Sequence, residues 1–414
     1  AVTPLPLLTA KSGALLVEVD WQQAQQITEL IQEGDAGTIK SLETDRVKSK
    51  LESAVFFGDI SYNILEFPLP ERSTLENGEL VEAALRLSEE ITNSTSPYLP
   101  SIMDMGAQLA DRMHRQICLI KVIGGSGLTD TLPRNVRDRL CADAQLVAAG
   151  QQIWSENSAH ASSAGHEQTQ LMVQVVDTVM QEAGFGSSDE DLVRAFFRHH
   201  LDLLPRVFGM LSAHLKTGNF KEAAAKVKTS HLLQANRIIV PAYYAAANYT
   251  DEVGQAYDSS KVFSGSIACE AWTCTAVAIE TLETAFHATD ALIRERSREL
   301  GSAIDMEGQN FLSEGTIDQR QQRELKSHLC ELARFTLAAY EQRLSYLQLE
   351  EAHAQERQVL IGRFRNIRPQ VIHPLQRIGN SDQAFSLAER HRAFRTLAEL
   401  CTDERAGSEL SITQ

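Results

Sequence analysis

The residues whose types suggest chemistry fall into a few groups, and each fails on spacing. Gly124-Gly125-Ser126-Gly127 has the glycine density of a loop that wraps a phosphate with backbone N–H groups. Such a loop needs a lysine and then a serine or threonine after its last glycine, whereas Leu128-Thr129 follow here. The same residues miss the turn that presents a nucleophilic serine, because Leu128 stands where that turn needs glycine. The segment reads as a loop between helices. His199-His200 lies inside an amphipathic stretch, and His214 is too far along to be a fourth-residue partner. His166-Glu167 is followed by Gln168-Thr169-Gln170 rather than by the second histidine of a zinc protease. Asp189-Glu190-Asp191 approaches the acid cluster with which some all-helical enzymes hold magnesium diphosphate, yet Leu192-Val193 follow and the acid one turn later is missing. These acids suit a helix N-terminus, facing the positive end of its dipole.

Cys118, Cys141, Cys269, Cys274, Cys330 and Cys401 form no CxxC and join no histidine pair at zinc spacing, so they read as reduced, mostly buried thiols of an intracellular protein. No catalytic, cofactor-binding or metal-ligating residue is assigned, no cofactor is expected, and the sequence does not say which residues bind partners. An all-helical enzyme is the weakest reading.

What positions these residues is helical periodicity running almost unbroken from about Trp21 to Cys401. Phe196, Phe197, His200, Leu203, Leu204, Val207, Phe208 and Leu211 recur at the three-and-four spacing of one helix face. Leu325, Leu329, Leu332, Phe335, Ala339, Tyr340, Leu344 and Leu347 repeat the pattern, with Glu324, Lys326, Glu331, Arg334, Glu341 and Arg343 on other faces. Helices are predicted over about 21–33, 36–57, 78–94, 99–123, 133–158, 165–183, 188–216, 220–247, 273–299, 319–347 and 351–366, then shorter ones over 369–401. Gly218-Asn219 and Gly379-Asn380 read as a left-handed helix end followed by an N-cap, with Glu222 and Gln383 completing capping boxes. If Thr273 caps the next helix, Trp272 and Val277 would form a hydrophobic staple. Trp21, Trp154 and Trp272 are expected in the core or at helix junctions rather than at an interface. Leu5 to Thr9 and Ala14 to Val19, around Lys11-Ser12-Gly13, read as a short hairpin.

The chain has 414 residues, 43% of them hydrophobic, while a single core stops growing near roughly 250–300 residues. No long linker divides it, so an all-α, irregular, elongated stack of helices is expected, a solenoid whose core extends along one axis. Modules are placed at 1–20 (a short β segment), 21–259 and 260–414, the last two continuous with each other. A net charge of -16 works against holding a phosphate backbone, so no direct nucleic-acid partner is expected. The acid-free stretch Arg363 to Arg377, with Arg365 and Arg368 inside it, is read first as surface charge or pairing with acidic neighbours, and second as a binding patch. No apolar run reaches the roughly 18–20 residues that span a bilayer. No repeat of fixed period appears.

Several blocks, taken in order, resemble one family. They are Val47-Lys48-Ser49-Lys50-Leu51-Glu52-Ser53-Ala54-Val55-Phe56-Phe57-Gly58; Leu233-Gln234-Ala235-Asn236-Arg237 on to Tyr257; Glu270-Ala271-Trp272-Thr273; Leu329 to Leu347; and Ile367-Arg368-Pro369-Gln370-Val371-Ile372 through Asp382 to Glu389 and Phe394 to Cys401. The family is the fungal nucleoporins of the one-three-three-kilodalton type, scaffold members of the Y-shaped complex of the nuclear pore. The resemblance implies an upstream β-propeller whose last blade would end in Leu5 to Val19, with its membrane-sensing loop before Ala1. It also implies that the main contact with the neighbouring stem nucleoporin lies largely beyond Gln414. The chain would then be an excised fragment of the arm, monomeric by itself, with other Y-complex nucleoporins as partners and no membrane contact of its own. An inner-ring nucleoporin or a vesicle-coat-like helical scaffold is the alternative reading.

Overall fold

The computed structural model describes residues 8–10, 13–15, 36–57, 77–99, 104–125, 132–163, 170–185, 191–256, 271–304, 315–348 and 353–402. Strands β1 (Leu8–Ala10) and β2 (Gly13–Leu15) pair antiparallel, with Leu8 opposite Leu15. The helices are α1 (Ala36–Phe57), α2 (Asn77–Thr92), α3 (Met105–Gly125), α4 (Arg134–Ser163), α5 (Gln170–Glu182), α6 (Leu192–His199) and α7 (Leu204–Lys216). They continue as α8 (Gly218–Glu222), α9 (Ala225–Ala256), α10 (Ala276–Ile304), α11 (Gly315–Leu347), α12 (Ala354–Arg377), α13 (Ser381–Arg390) and α14 (394–402). The fold is all-α, as the periodicity requires. The helix expected over 21–33 and Trp21 lie outside the described residues.

Three expected elements differ, each for a local reason. The helix expected over 188–216 is two helices, because Leu201–Leu203 tightens into a 3₁₀ turn and Pro205, lacking an N–H, sits in the first turn of α7. The apolar spacing runs through this break, so Phe196, Phe197, Leu204, Val207, Phe208 and Leu211 still share one buried face. Residues 218–222 form the separate short α8 before α9 begins. The break expected between 366 and 369 is absent: α12 passes through Pro369 and Pro374, which forfeit one backbone hydrogen bond each without ending the helix.

Helix ends also correct the sequence reading. Gly218 and Asn219 are the first residues of α8, and Thr217 is its N-cap, its hydroxyl accepting from the Phe220 N–H at 3.3 Å. Trp272 and Thr273 lie in a 3₁₀ turn, and Thr275 caps α10 instead, accepting from the Ala278 N–H at 3.3 Å. No staple forms, since Val277 is 46% exposed while Trp272 stacks on Phe208 with ring centroids 5.1 Å apart. Gly379, at φ +85°, does close α12, but Asn380 makes no side-chain cap and instead donates to Gln383 Oε1 at 2.9 Å.

Packing proceeds as a stack. α1 and α2 pack on each other and on α3 and α4; α4 packs on α9; α9 meets α10 and α11; α11 carries α12, and α12 carries α13. The buried apolar residues divide accordingly. One cluster joins Val47, Leu51 and Val55 of α1 to Leu80, Leu87 and Ile91 of α2, Leu119 and Ile123 of α3, and Val136 and Leu140 of α4. The larger cluster runs from Met105 to Leu400 and draws residues from both sides of the 259/260 position, which itself lies outside the described residues. Leu332 of α11 is fully buried in it. Leu332→Ala is expected to destabilise by about 2–5 kcal/mol in denaturant titration, the loss of the transferred methyl groups plus a residual cavity.

Candidate functional site

Among the described residues, those whose types suggest chemistry are not brought together. Gly124 and Gly125 end α3, while Ser126, Gly127, Leu128 and Thr129 lie outside the described residues, as do His166, Glu167, Asp189, Glu190 and Cys269. Asp191 caps α6, its carboxylate accepting from the Val193 N–H at 3.0 Å. His199 Nδ1 lies 3.2 Å from the Asn93 carbonyl, the His200 ring packs 3.9 Å from that of Phe185, and His214 Nε2 lies 3.2 Å from His231 Nδ1 at the α7–α9 junction. Among the described residues no three His, Cys, Asp or Glu side chains converge as metal ligands, and no helix is long and apolar enough to cross a membrane. Cys141, Cys274 and Cys330 are buried, Cys118 is half-buried and Cys401 exposed. Trp154 sets its edge on Phe197, with centroids 5.3 Å apart.

Long-range arginine contacts at helix C-termini are what the sequence reading missed. A helix ends with carbonyls that have no intrahelical partner and carry the negative end of the dipole. Arg112 of α3, fully buried, donates from Nε to Ile91 O at 3.0 Å and from Nη2 to Thr92 O, closing α2. Its Nη1 reaches Phe197 O at 2.8 Å and Arg198 O at 3.3 Å, closing α6 with the same guanidinium. Burial pushes this guanidinium down to about 9, still cationic near neutral pH.

Arg115 closes α1 through Val55 O at 3.0 Å and Phe56 O at 3.3 Å, and lies over the Phe56 ring. Arg134 reaches Tyr346 O at the end of α11 at 3.2 Å and covers the Tyr346 ring. Arg368 of α12 donates to His391 O at 2.9 Å and Arg392 O at 3.1 Å, just past α13.

Two of these ends share a further feature. α5 and α12 close with glycine in the left-handed region, at Gly184 (φ +82°) and Gly379 (φ +85°). α2 and α13 close with the same six-to-one backbone bond, Thr95 N to Glu90 O at 2.9 Å and Ala393 N to Ala388 O at 2.8 Å, yet place Ser94 (φ 54°) and Arg392 (φ 53°) there. A side chain in that conformation costs roughly 1–2 kcal/mol, and these are the ends that Arg112 and Arg368 hold. Arg392→Gly is expected to stabilise by about 1 kcal/mol, raising the denaturant midpoint without changing its slope.

The basic stretch is mostly spoken for. Arg363 Nη2 is 3.2 Å from Glu283, and Arg377 Nη2 bonds both oxygens of Asp290 at 3.0 and 3.2 Å. With Arg368 capping α13, pairing within the chain accounts for three of the four arginines.

An open groove of about 790 Å³ runs along α10. Its floor includes Leu215, Phe220, Ala288 and Leu292, and its rims are bridged by Lys216–Glu280, Lys228–Glu295 at 3.6 Å and Arg363–Glu283. These three ion pairs join the helices on either side of the groove.

His328 is the most perturbed histidine. Burial lowers it to about 4, with Glu324 opposing and Arg237, itself bonded to Glu324 at 2.6 Å, adding to the shift. The folded chain therefore holds this ring neutral while the unfolded chain protonates it near pH 6.5, so stability should fall as pH drops from about 6.5 to 4. Because the ring keeps some solvent access, a loss of about 1–3 kcal/mol is expected, and His328→Gln should flatten that part of the pH–stability curve.

No family model matches the chain. Nucleoporin nup132 of Schizosaccharomyces pombe is 22% identical over 372 residues, 88% of this chain and 31% of its own length. Nucleoporin NUP133 of Chaetomium thermophilum is 32% identical over 111 residues, 27% of this chain and 8% of its own. The chain thus spans at most about a third of the length of these relatives. The chain is thus similar to fungal nucleoporins of the one-three-three-kilodalton type, over most of its length to the first and over about a quarter to the second.

Proposed function

We propose that the chain is a structural arm of the nuclear pore complex at the nuclear envelope, in its Y-shaped outer-ring subcomplex, and that it serves nucleocytoplasmic transport, mRNA export and pore assembly by holding neighbouring nucleoporins at fixed separations. The observation that carries this reading is the serial packing of one helix pair on the next around a core that does not stop at the 259/260 position. Modules 21–259 and 260–414 therefore work as one mechanical unit. Stacked helices that share a core resist bending, because any bend opens apolar contacts worth about 25 cal/mol per Å². Other Y-complex nucleoporins are the partners, and the chain itself is not catalytic.

A segment exchange tests this. Nup132 in fission yeast, with its matching segment replaced by this chain, should be found at the nuclear rim and sustain export of polyadenylated RNA. A stable chimera spread through the cytoplasm, or gathered on vesicles, would overturn the assignment and favour a vesicle-coat role.

A further inference from the structure

We propose that α1 and α2 form a separately opening helical hairpin, latched onto the rest of the stack by the guanidiniums of Arg112 and Arg115. This rests on the packing alone and is independent of the functional reading.

Three observations meet at this seam. The apolar residues of α1 and α2 belong to a cluster distinct from the one that runs from Met105 to Leu400, shared only with Leu119 and Ile123 of α3 and Leu132, Val136 and Leu140 at α4, so opening exposes a limited apolar surface. The contact between α2 and the α3–α4 pair has a polar centre. Ser88, Thr92, Gln116 and Asp143 are all buried, with Gln116 Nε2 donating to Ser88 O at 2.8 Å and Thr92 Oγ1 at 2.9 Å, and Ser88 Oγ donating to Asp143 at 2.9 Å. Finally, the C-termini of both hairpin helices are held from outside. Arg115 holds α1, while Arg112 and the His199–Asn93 contact hold α2.

The directional bonds at the centre of this seam open differently from the apolar contacts around them. Each hydrogen bond is lost over a short displacement, and water replaces it once the seam parts, so closure depends on a few groups acting together. The α3–α4 pair would stay behind, because α4 packs along α9 and Arg134 ties it to the end of α11. Arg112 is the member that spans the seam, joining α2 to α6 of the larger cluster.

Native-state amide exchange of the wild-type chain across a denaturant series tests the latch. Amides of Val47–Phe57 and Leu80–Thr92 should share one opening, with a smaller denaturant dependence than the amides of α9 to α11. Arg112→Met and Arg115→Met should each raise exchange in that set by at least about tenfold, whereas Leu332→Ala in α11 should raise exchange in α9 to α11 and leave the α1–α2 set within about twofold. If the α1–α2 amides merge with the global unfolding of α9 to α11 in the wild type, or if Leu332→Ala raises exchange in both sets equally, the hairpin is not a separate unit. The wild-type series decides the matter even if Arg112→Met does not fold.

Discussion

Arg112→Met should destabilise the chain by about 3–5 kcal/mol. Two effects oppose each other. Removing a buried cation relieves a desolvation cost, and where both members of a buried pair are replaced by apolar groups the exchange is often neutral or favourable. Here the partners are the backbone carbonyls of Ile91, Thr92, Phe197 and Arg198, which no substitution removes. Each buried acceptor left without a donor costs about 1–3 kcal/mol, so the loss outweighs the relief. Arg112→Lys separates charge from geometry, because one ammonium keeps the charge but cannot fork to two helix ends. It should lose about half as much in urea titration. A Lys variant as stable as the parent would mean that the charge alone matters.

Phe197→Ala should cost about 3–5 kcal/mol. Its ring is 1% exposed, meets Phe196 edge-on with centroids 5.3 Å apart, and receives the edge of Trp154. The substitution removes the transferred surface, leaves a cavity between α4 and α6, and loses two aromatic pairs worth about 0.5–1.5 kcal/mol each. Phe394→Ala is the control: that ring is 69% exposed, and its loss should stay within about 0.5 kcal/mol. Equal effects of the two would show that the apolar faces are misplaced.

Comparing these two sites shows what the sequence could reveal. Phe197 was legible because burial of a helix face repeats every three to four residues, and the same signal located α1, α4 and α11. The end of α6 was harder, since the apolar spacing continues through Leu201–Leu203 and only Pro205 marks the new start. Pro369 misled in the other direction, as a proline signals a boundary locally while packing of Phe364, Ile367, Val371 and Ile372 holds the helix together across it. Arg112 carries no local signal at all. Its acceptors lie about 20 and 85 positions away, and an arginine flanked by Asp111, His114 and Arg115 reads the same whether it surfaces or caps a neighbour. Long-range caps of this kind depend on how helices stack, which periodicity does not encode.

Small-angle scattering of the purified chain tests the scaffold account most directly. A compact globule of this length would have a radius of gyration near about 22 Å. Serial packing from α1 through α4, α9 and α11 to α13 predicts a clearly larger value, with an asymmetric distance distribution that tails to long separations. A value near about 22 Å with a symmetric distribution would contradict the elongated arm.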